Sequence, residues 1–338
     1  MDVEPEDMRL LGIGGILKES YKILLTYLRL FMSLACTLVL PLGVVIFSHH
    51  LISTPLQRKI FINEVLEEAE AGTPAAAQTR KVLDLELFGL AILTLLYMVF
   101  ALVFSLLSTS AIVYSVASIY TGKGLSYTKI ISIVPRVWKR LVVTFVWAQL
   151  VIFGYYVGFL FIIFLLSLLE HAIGLPMAVL GIPLIIAFDG MLVYINLVWH
   201  LASVISVLEE SYGLGAMKKS VELIKGKKLV GCGLFLIYIL CTIGVLVPFG
   251  TFVVSHRHHI PIMAIRVLLG LALLVLWTAL TLFAIIIQSV LYFVCKSDHH
   301  ETIDRYALSE HLDGYLGEYA PLKGPVSLEA LEAELEEV

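Results

Sequence analysis

Charge is what this chain has least of. Only 15% of its 338 residues are Asp, Glu, Lys or Arg, against about 25% in an ordinary soluble domain. Hydrophobic residues make up 59%, and the mean hydropathy is +0.95. That balance excludes an ordinary soluble enzyme and a disordered chain. Basic charge is equally short. A net charge of −4 and a pI near 6.2 leave no electrostatic footprint for nucleic acid, so no such partner is expected. Cysteine is scarce too. Cys36, Cys232, Cys241 and Cys295 are scattered in or at the ends of apolar runs. Their spacing is neither a disulfide framework nor a zinc finger, so they read as small packing residues. No GxSxG, P-loop or HExxH string occurs, nor any pair of carboxylates suited to a cleft. Enzyme activity and a cofactor therefore have no supporting motif. Met1 to Met8 is acidic and polar, unlike the basic start of a cleavable leader.

Long apolar runs are what is present. A membrane span needs about 20 apolar residues. Charge-free stretches run over 30–57, 87–122, 141–169, 229–256 and 267–295, and a further one over 171–208 is broken only by Asp189. The reading is an all-α membrane protein with six transmembrane helices, at about 30–50, 87–119, 141–169, 176–208, 229–254 and 264–294. An outer loop occupies 51–86, and the membrane domain covers 1–294. A turn at Asp189-Gly190 would make seven spans. With six, the N-terminal segment, the loops near 123–140 and 209–228 and the tail hold 17 Lys and Arg, and the opposite side holds 6. Basic residues favour the cytosol, so six spans with both termini cytosolic is the better model. The tail, 295–338, is then a cytosolic acidic segment. Its SLEALEAELEEV ending can form a helix capped by Ser327, and a protein partner could dock there.

Two stretches are alike. LKESYKIL from Leu17, then Cys36-Thr37, Pro41 and SHH from Ser48, parallels MKKSVELI from Met217, then Cys241-Thr242, Pro248 and SHRHH from Ser255. SYTKIISIVPRVWKRL from Ser126 supplies a third basic segment before a span. The expected unit is a cytosolic interfacial amphipathic helix followed by a two-span hairpin, used three times. Units of two spans enter the bilayer the same way, so the repeats are parallel. Their lysines would meet anionic headgroups of the lipid bilayer. In the outer loop, Ile60, Phe61, Ile62, Val65, Leu66 and Ala69 recur at helical spacing, which predicts a short helix lying over the outer face.

Asp189 is the most informative single residue. In the fourth span it falls near mid-bilayer, where an ionised group needs a partner or a wet cavity. Asn196 and His200 lie within about 20° of it on the helix wheel, with Ser203 close by. This polar face should point into the bundle. It could serve as a proton or cation relay, or join a hydrogen-bonded network with Thr278, Thr281 and Gln288 of span six. The outer ends of spans one, three and five carry His49, His50, His171, His256, His258 and His259. They could converge on one mouth able to sense pH or bind a metal, although histidine also suits an interface. Beyond span six, Cys295 with His299 and His300 with Asp304 are each four apart. Zinc binding or palmitoylation of Cys295 is conceivable there. Pro41, Pro176, Pro183 and Pro248 sit in or beside spans, where bends are tolerated.

The strings YFVCKSDHHETID (Tyr292–Asp304), HL (His311-Leu312) and GYLGEYAPLK (Gly314–Lys323) resemble a family of plant multi-span membrane proteins of unknown function. More distantly, VLEESYGLGAMKKSVELIKGKKL (Val207–Leu229) is similar to the membrane domain of some bacterial glycerophosphoryl diester phosphodiesterases, with Glu209, Gly213, Gly215, Ser220 and Gly226 fitting its pattern. The catalytic barrel of those enzymes needs about 250 residues, and no stretch here can supply it. The resemblance implies a helical membrane module of an endomembrane or plasma membrane, with no hydrolase activity. The leading expectation is a non-enzymatic protein that organises or regulates membrane partners or lipids. The competing one is a transporter or channel using Asp189, Asn196 and His200.

Overall fold

The computed structural model describes residues 9–70, 73–122, 126–173, 177–254 and 263–299, with the side chains of 170–173 and 177–180 excepted. Among them are eight helices and no strand. We number them α1 (Ile13–Thr26), α2 (Leu28–Ala69), α3 (Pro74–Tyr120), α4 (Tyr127–Ile173), α5 (Met177–Leu208), α6 (Leu214–Leu223), α7 (Lys228–Val254) and α8 (Met263–Asp298). Six of them, all but α1 and α6, are long and apolar enough to cross a bilayer. This is an integral multi-pass membrane protein. α5 runs unbroken through Asp189-Gly190, so the seven-span arrangement is not formed.

Three expectations need correction. The stretch 51–86 is not a loop with a helix lying across it. α2 and α3 continue through it as an antiparallel helical hairpin, 42 and 47 residues long, or about 63 and 70 Å at 1.5 Å per residue. Ile60 and Leu83 are buried in its seam. Lys59 meets Glu86 at 2.8 Å, Asn63 donates to Glu86 at 2.8 Å, and Thr79 donates to Glu70 at 2.9 Å. The acids of this stretch form the polar face and cross-links of this hairpin.

Second, the basic segment from Ser126 is not a separate interfacial helix. It forms the first turns of α4, which runs on through Pro135. Ile130, Ile133, Val134, Val137 and Leu141 are buried at helical spacing, so this apolar face packs on protein. Third, α1 likewise turns Ile16, Glu19, Ser20 and Ile23 inward and leaves Lys18 and Lys22 exposed.

The first and last parts of the described domain meet at one end of the bundle. There Lys227 donates to the Arg9 carbonyl at 2.8 Å, and both Arg9 and Lys227 lie 3.9 Å from Asp298. Two prolines reshape their helices. A proline lacks the N–H for the helical ladder and crowds the carbonyl four residues back. In α2 a π turn at Ala35–Val39 precedes Pro41, and in α7 another at Phe249–Val254 follows Pro248. Widening the turn is a usual way to absorb such a break.

The core has two parts. The larger joins α1, the start of α2, the second halves of α3, α5 and α8, the first turns of α4, and α6. The smaller joins α2, α7 and α8 around Phe47, Phe249 and Trp277, with ring centroids 4.4 and 6.2 Å apart from Phe47. Gly43 lets α2 approach α8 closely here, since a Cβ on it would come 2.8 Å from Leu274. Such close approach is how membrane helices gain packing where lipid is as apolar as their side chains.

Candidate functional site: a cavity shared by all six spans

Between the two cores lies a cavity of about 390 Å³. Every span lines it: Leu42 and Ile46 from α2, Tyr97 to Thr109 from α3, Thr144 from α4, His200 and Ser203 from α5, Phe235 and Tyr238 from α7, and Gln288 from α8. The size is that of a small-molecule pocket. No Lys, Arg, Asp or Glu lines it, and most of its wall is aliphatic or aromatic. Met98, at its edge, is 59% exposed, so the space is not sealed from the bundle's apolar exterior.

One wall is polar. Ser203 donates to the His200 carbonyl at 2.6 Å, and Gln288 Nε2 bonds the same carbonyl and the Ser203 hydroxyl, the latter at 3.0 Å. The His200 ring packs against Trp199 and Phe235 with centroids 4.5 and 5.3 Å away. On α8, Trp277, Thr281, Gln288 and Leu291 face the cavity at helical spacing. The Thr281 hydroxyl is buried without a hydrogen-bond partner. Thr278, expected in the same network, bonds instead to the Leu274 carbonyl of its own helix at 2.8 Å.

Asp189 is not part of this site. It shares a wheel face with His200 but lies eleven residues away, about 16 Å along α5. At that level α5 packs on α4, through Phe188 stacked between Tyr155 and Phe159 with centroids at 4.6 and 3.9 Å. The face that looks into the cavity at His200 therefore looks outward at Asp189, which is exposed. Counted from Glu209, the next charge along the helix, Asp189 also sits about 30 Å away. Asn196 donates to the Leu192 carbonyl at 2.8 Å and stays on its own helix. The predicted polar face thus divides, with His200 and Ser203 inside and Asp189 outside.

The predicted histidine mouth is described only at His49 and His50. His49 turns inward and stacks on Tyr97 at 4.1 Å, with its Nε2 buried and unpartnered, while His50 is exposed. His256, His258, His259 and the side chain of His171 lie outside the described residues, as do His300 and Asp304. Cys295 is fully buried, which removes it from a modifying enzyme's reach, and His299 Nε2 sits 3.0 Å from the Leu223 carbonyl. Among the described residues no group of three or more His, Cys, Asp or Glu could hold a metal.

The end of the bundle bearing Arg9 is fastened by polar contacts that sequence spacing did not reveal. Glu209, just past α5, accepts from Lys219 at 2.7 Å, Tyr292 at 2.6 Å and Lys296 at 3.1 Å. Burial pushes its carboxyl pKa up, but these bonds and charges outweigh it and hold the group below its ordinary value. Gly213 has φ +63°, and its N–H donates to Thr144 Oγ1 at 2.7 Å, which in turn meets Ser206 at 2.7 Å. Ser220 donates to the Val198 carbonyl at 2.8 Å. A Cβ on Gly226 would run into the Asp298 carboxylate.

Neither a curated protein nor a solved structure matches the chain. A family model described as a domain of unknown function, DUF8558, matches residues 1–331, and the chain therefore belongs to that family.

Proposed function

We propose that this protein is a non-enzymatic membrane component that organises or regulates lipids or membrane partners, and that it does so by admitting a lipid-derived molecule to the central cavity. The observation that carries this reading is the cavity wall: six spans contribute to it, it is mostly apolar, and it holds no ionisable carboxylate or amine. A conduit for ions needs charged or water-filled lining, and acid–base catalysis needs a positioned pair of titratable groups. An apolar chamber suits hydrocarbon.

The rest of the reading concerns placement. The basic end faces the cytosol, both termini lie there, and Lys18, Lys22, Lys218 and Lys225 meet anionic headgroups of an endomembrane or plasma membrane. The acidic tail takes a protein partner. Three parallel hairpin units build the bundle, the first and third each led by a separate short helix, α1 and α6, and the second by the basic first turns of α4. Supporting the first and third units are the buried Ser20 and Ser220 at matching places and a π turn beside both Pro41 and Pro248. Kinship with plant multi-span proteins and with the phosphodiesterase membrane domain belongs to the same reading. Glu209, Gly213, Ser220 and Gly226, which carry the latter resemblance, each fill a structural place at the fastened end.

The test is reconstitution. The purified protein should retain a stoichiometric lipid after mild detergent extraction, and proteoliposomes should pass neither protons nor metal cations. Cation or proton flux abolished by Asp189→Asn would establish the transporter or channel instead.

A further inference from the structure

The cavity's dimensions and chemistry narrow what it can hold. From these we infer that the site takes a neutral, single-chain lipid whose head both donates and accepts hydrogen bonds, such as a monoacylglycerol or long-chain alcohol. This rests on the reading above that the cavity admits a lipid, and it goes further by naming the class.

Size sets the chain count. About 390 Å³ holds on the order of a dozen groups of methylene or water size, at about 30 Å³ each. A small head with the first several carbons of one acyl chain fills that room, and the rest of the chain runs out past Met98. Two chains with a phosphorylated head do not fit.

Charge sets the head. With no Lys or Arg in the lining, a carboxylate or phosphate would enter a low-dielectric space without a counter-charge, at a cost of many kcal/mol. With no Asp or Glu there either, an ammonium head meets the same barrier. A head of zero charge escapes both.

Hydrogen bonding sets the functional group. Thr281 is 8% exposed, its hydroxyl has no partner, and it lines the cavity on the same face of α8 as Gln288. Gln288 spends its Nε2 on the His200 carbonyl and Ser203. Its Oε1 and the His200 ring accept no bond from the described residues. Buried polar atoms left unpaired are costly and are normally satisfied. A hydroxyl head can donate to one of these groups and accept from the Thr281 hydroxyl. Meanwhile the chain extends toward Tyr97, Met98 and Trp277, and Met98 marks a way in from the bilayer.

The four tryptophans make this measurable. Trp199 and Trp277 line the cavity, whereas Trp138 and Trp147 are 40% and 41% exposed on the outside. The full chain with W138F and W147F, in nanodiscs of dioleoylphosphatidylcholine, is titrated with dibrominated monostearoylglycerol, whose bromines quench indole fluorescence. The expected result is saturable quenching. The reciprocal W199F/W277F chain should show only weak quenching that rises in proportion to the bromolipid. Thr281→Val, which keeps the side-chain shape and removes an unpaired hydroxyl, should weaken the saturable phase about fivefold, as expected for one hydrogen bond. Ala284→Phe, filling the space, should abolish it. Dibromostearate at alkaline pH should bind at least tenfold more weakly than the glycerol ester. Equal or tighter binding of that anion, or an unchanged affinity in the Thr281→Val chain, overturns the neutral-head assignment. Saturable quenching by dibrominated phosphatidylcholine, without any by the monoacylglycerol, overturns the single-chain class and leaves a lipid-admitting cavity standing. Absence of saturable quenching by every brominated lipid overturns both.

Discussion

The two ends of the bundle solve the membrane problem in opposite ways. At the end bearing Arg9 and Asp298, helices α4, α5, α6 and α8 and the residues Arg9 and Lys227 just before α1 and α7 are tied by side-chain bonds reaching across 10 to 218 residues of sequence. Glu209 alone gathers three donors from two helices. At the far end, the α4–α5 pair stands apart. Its side chains at Ile182, Ile186, Phe153, Leu160 and Phe161 are 59–68% exposed. The cavity occupies the transition between these regimes. Lipid removes the hydrophobic drive between helices and leaves close packing and polar bonds to hold them. At the far end the polar bonds run within pairs, across the α2–α3 hairpin and from Tyr155 to the Phe188 carbonyl in α4–α5.

Breaking the fastened end should cost most at Glu209. Replacing it with Ala takes the carboxylate away from Lys219, Lys296 and Tyr292, the two lysine side chains being 32% and 20% exposed. Removing one partner of a buried ion pair costs about 3–5 kcal/mol, and the partial exposure of the lysines places this case at the lower end. Unfolding midpoints in detergent should fall sharply. The same site gives a pH limb. The Glu209 carboxyl has a folded pKa below its unfolded value of about 4.5, so its stabilisation is complete above that value. It is lost as pH falls through the folded pKa. Glu209→Gln should remove this acid-side loss, and an unchanged acid limb in that variant would assign it elsewhere.

Next in size are the clasp residues. Gly213→Ala places a Cβ at positive φ, which costs about 1–2 kcal/mol, and crowds Trp147 at 3.3 Å. Thr144→Val leaves the Gly213 N–H and the Ser206 hydroxyl short of a partner, at about 1–3 kcal/mol. Thermal unfolding of the double variant should be less than additive, because Thr144→Val removes the acceptor of the Gly213 N–H and Gly213→Ala, which keeps that N–H, displaces the backbone carrying it. Full additivity would mean that the Gly213–Thr144 bond contributes nothing.

The sharpness of this contrast was only half visible in the residues. The six spans were legible because hydrocarbon tolerates so few charges: runs such as 141–169 can hardly be anything else. The fastened end left traces as isolated polar residues, Glu209, Gly213 and Ser220. Their partners Tyr292 and Thr144 lie 83 and 69 residues away, beyond what local spacing encodes. Helical periodicity puts Asp189 and His200 on one face of α5. It could not tell that the neighbouring helices line that face at His200 and leave it at Asp189. The 51–86 segment lies between two charge-free runs and reads as a loop with a short helix over the outer face. Pro55 is absorbed within α2 and Pro74 opens α3, where a missing N–H costs nothing. The cavity is a property of six helices together, and no single stretch of sequence contains it.

The smallest expected effect tests the open end. Asp189 is exposed, and among the described residues no hydrogen bond or ion pair engages it. Asp189→Asn should therefore change unfolding stability by no more than about 0.5 kcal/mol, as for a surface site without a partner. It should also leave lipid quenching of Trp199 and Trp277 unaltered, since the residue lies about 16 Å from His200 along the helix. The comparison is with His200→Phe, which keeps a ring of similar breadth against Trp199 and Phe235 but removes the ring nitrogens from the cavity wall. That variant should alter the quenching and leave the unfolding midpoint nearly unmoved. If the pair behaved the other way round, with the outward carboxylate controlling lipid occupancy and the inward imidazole silent, the far half of α4–α5 would have to close over the cavity in the membrane. The open end would then be one position of a moving hairpin.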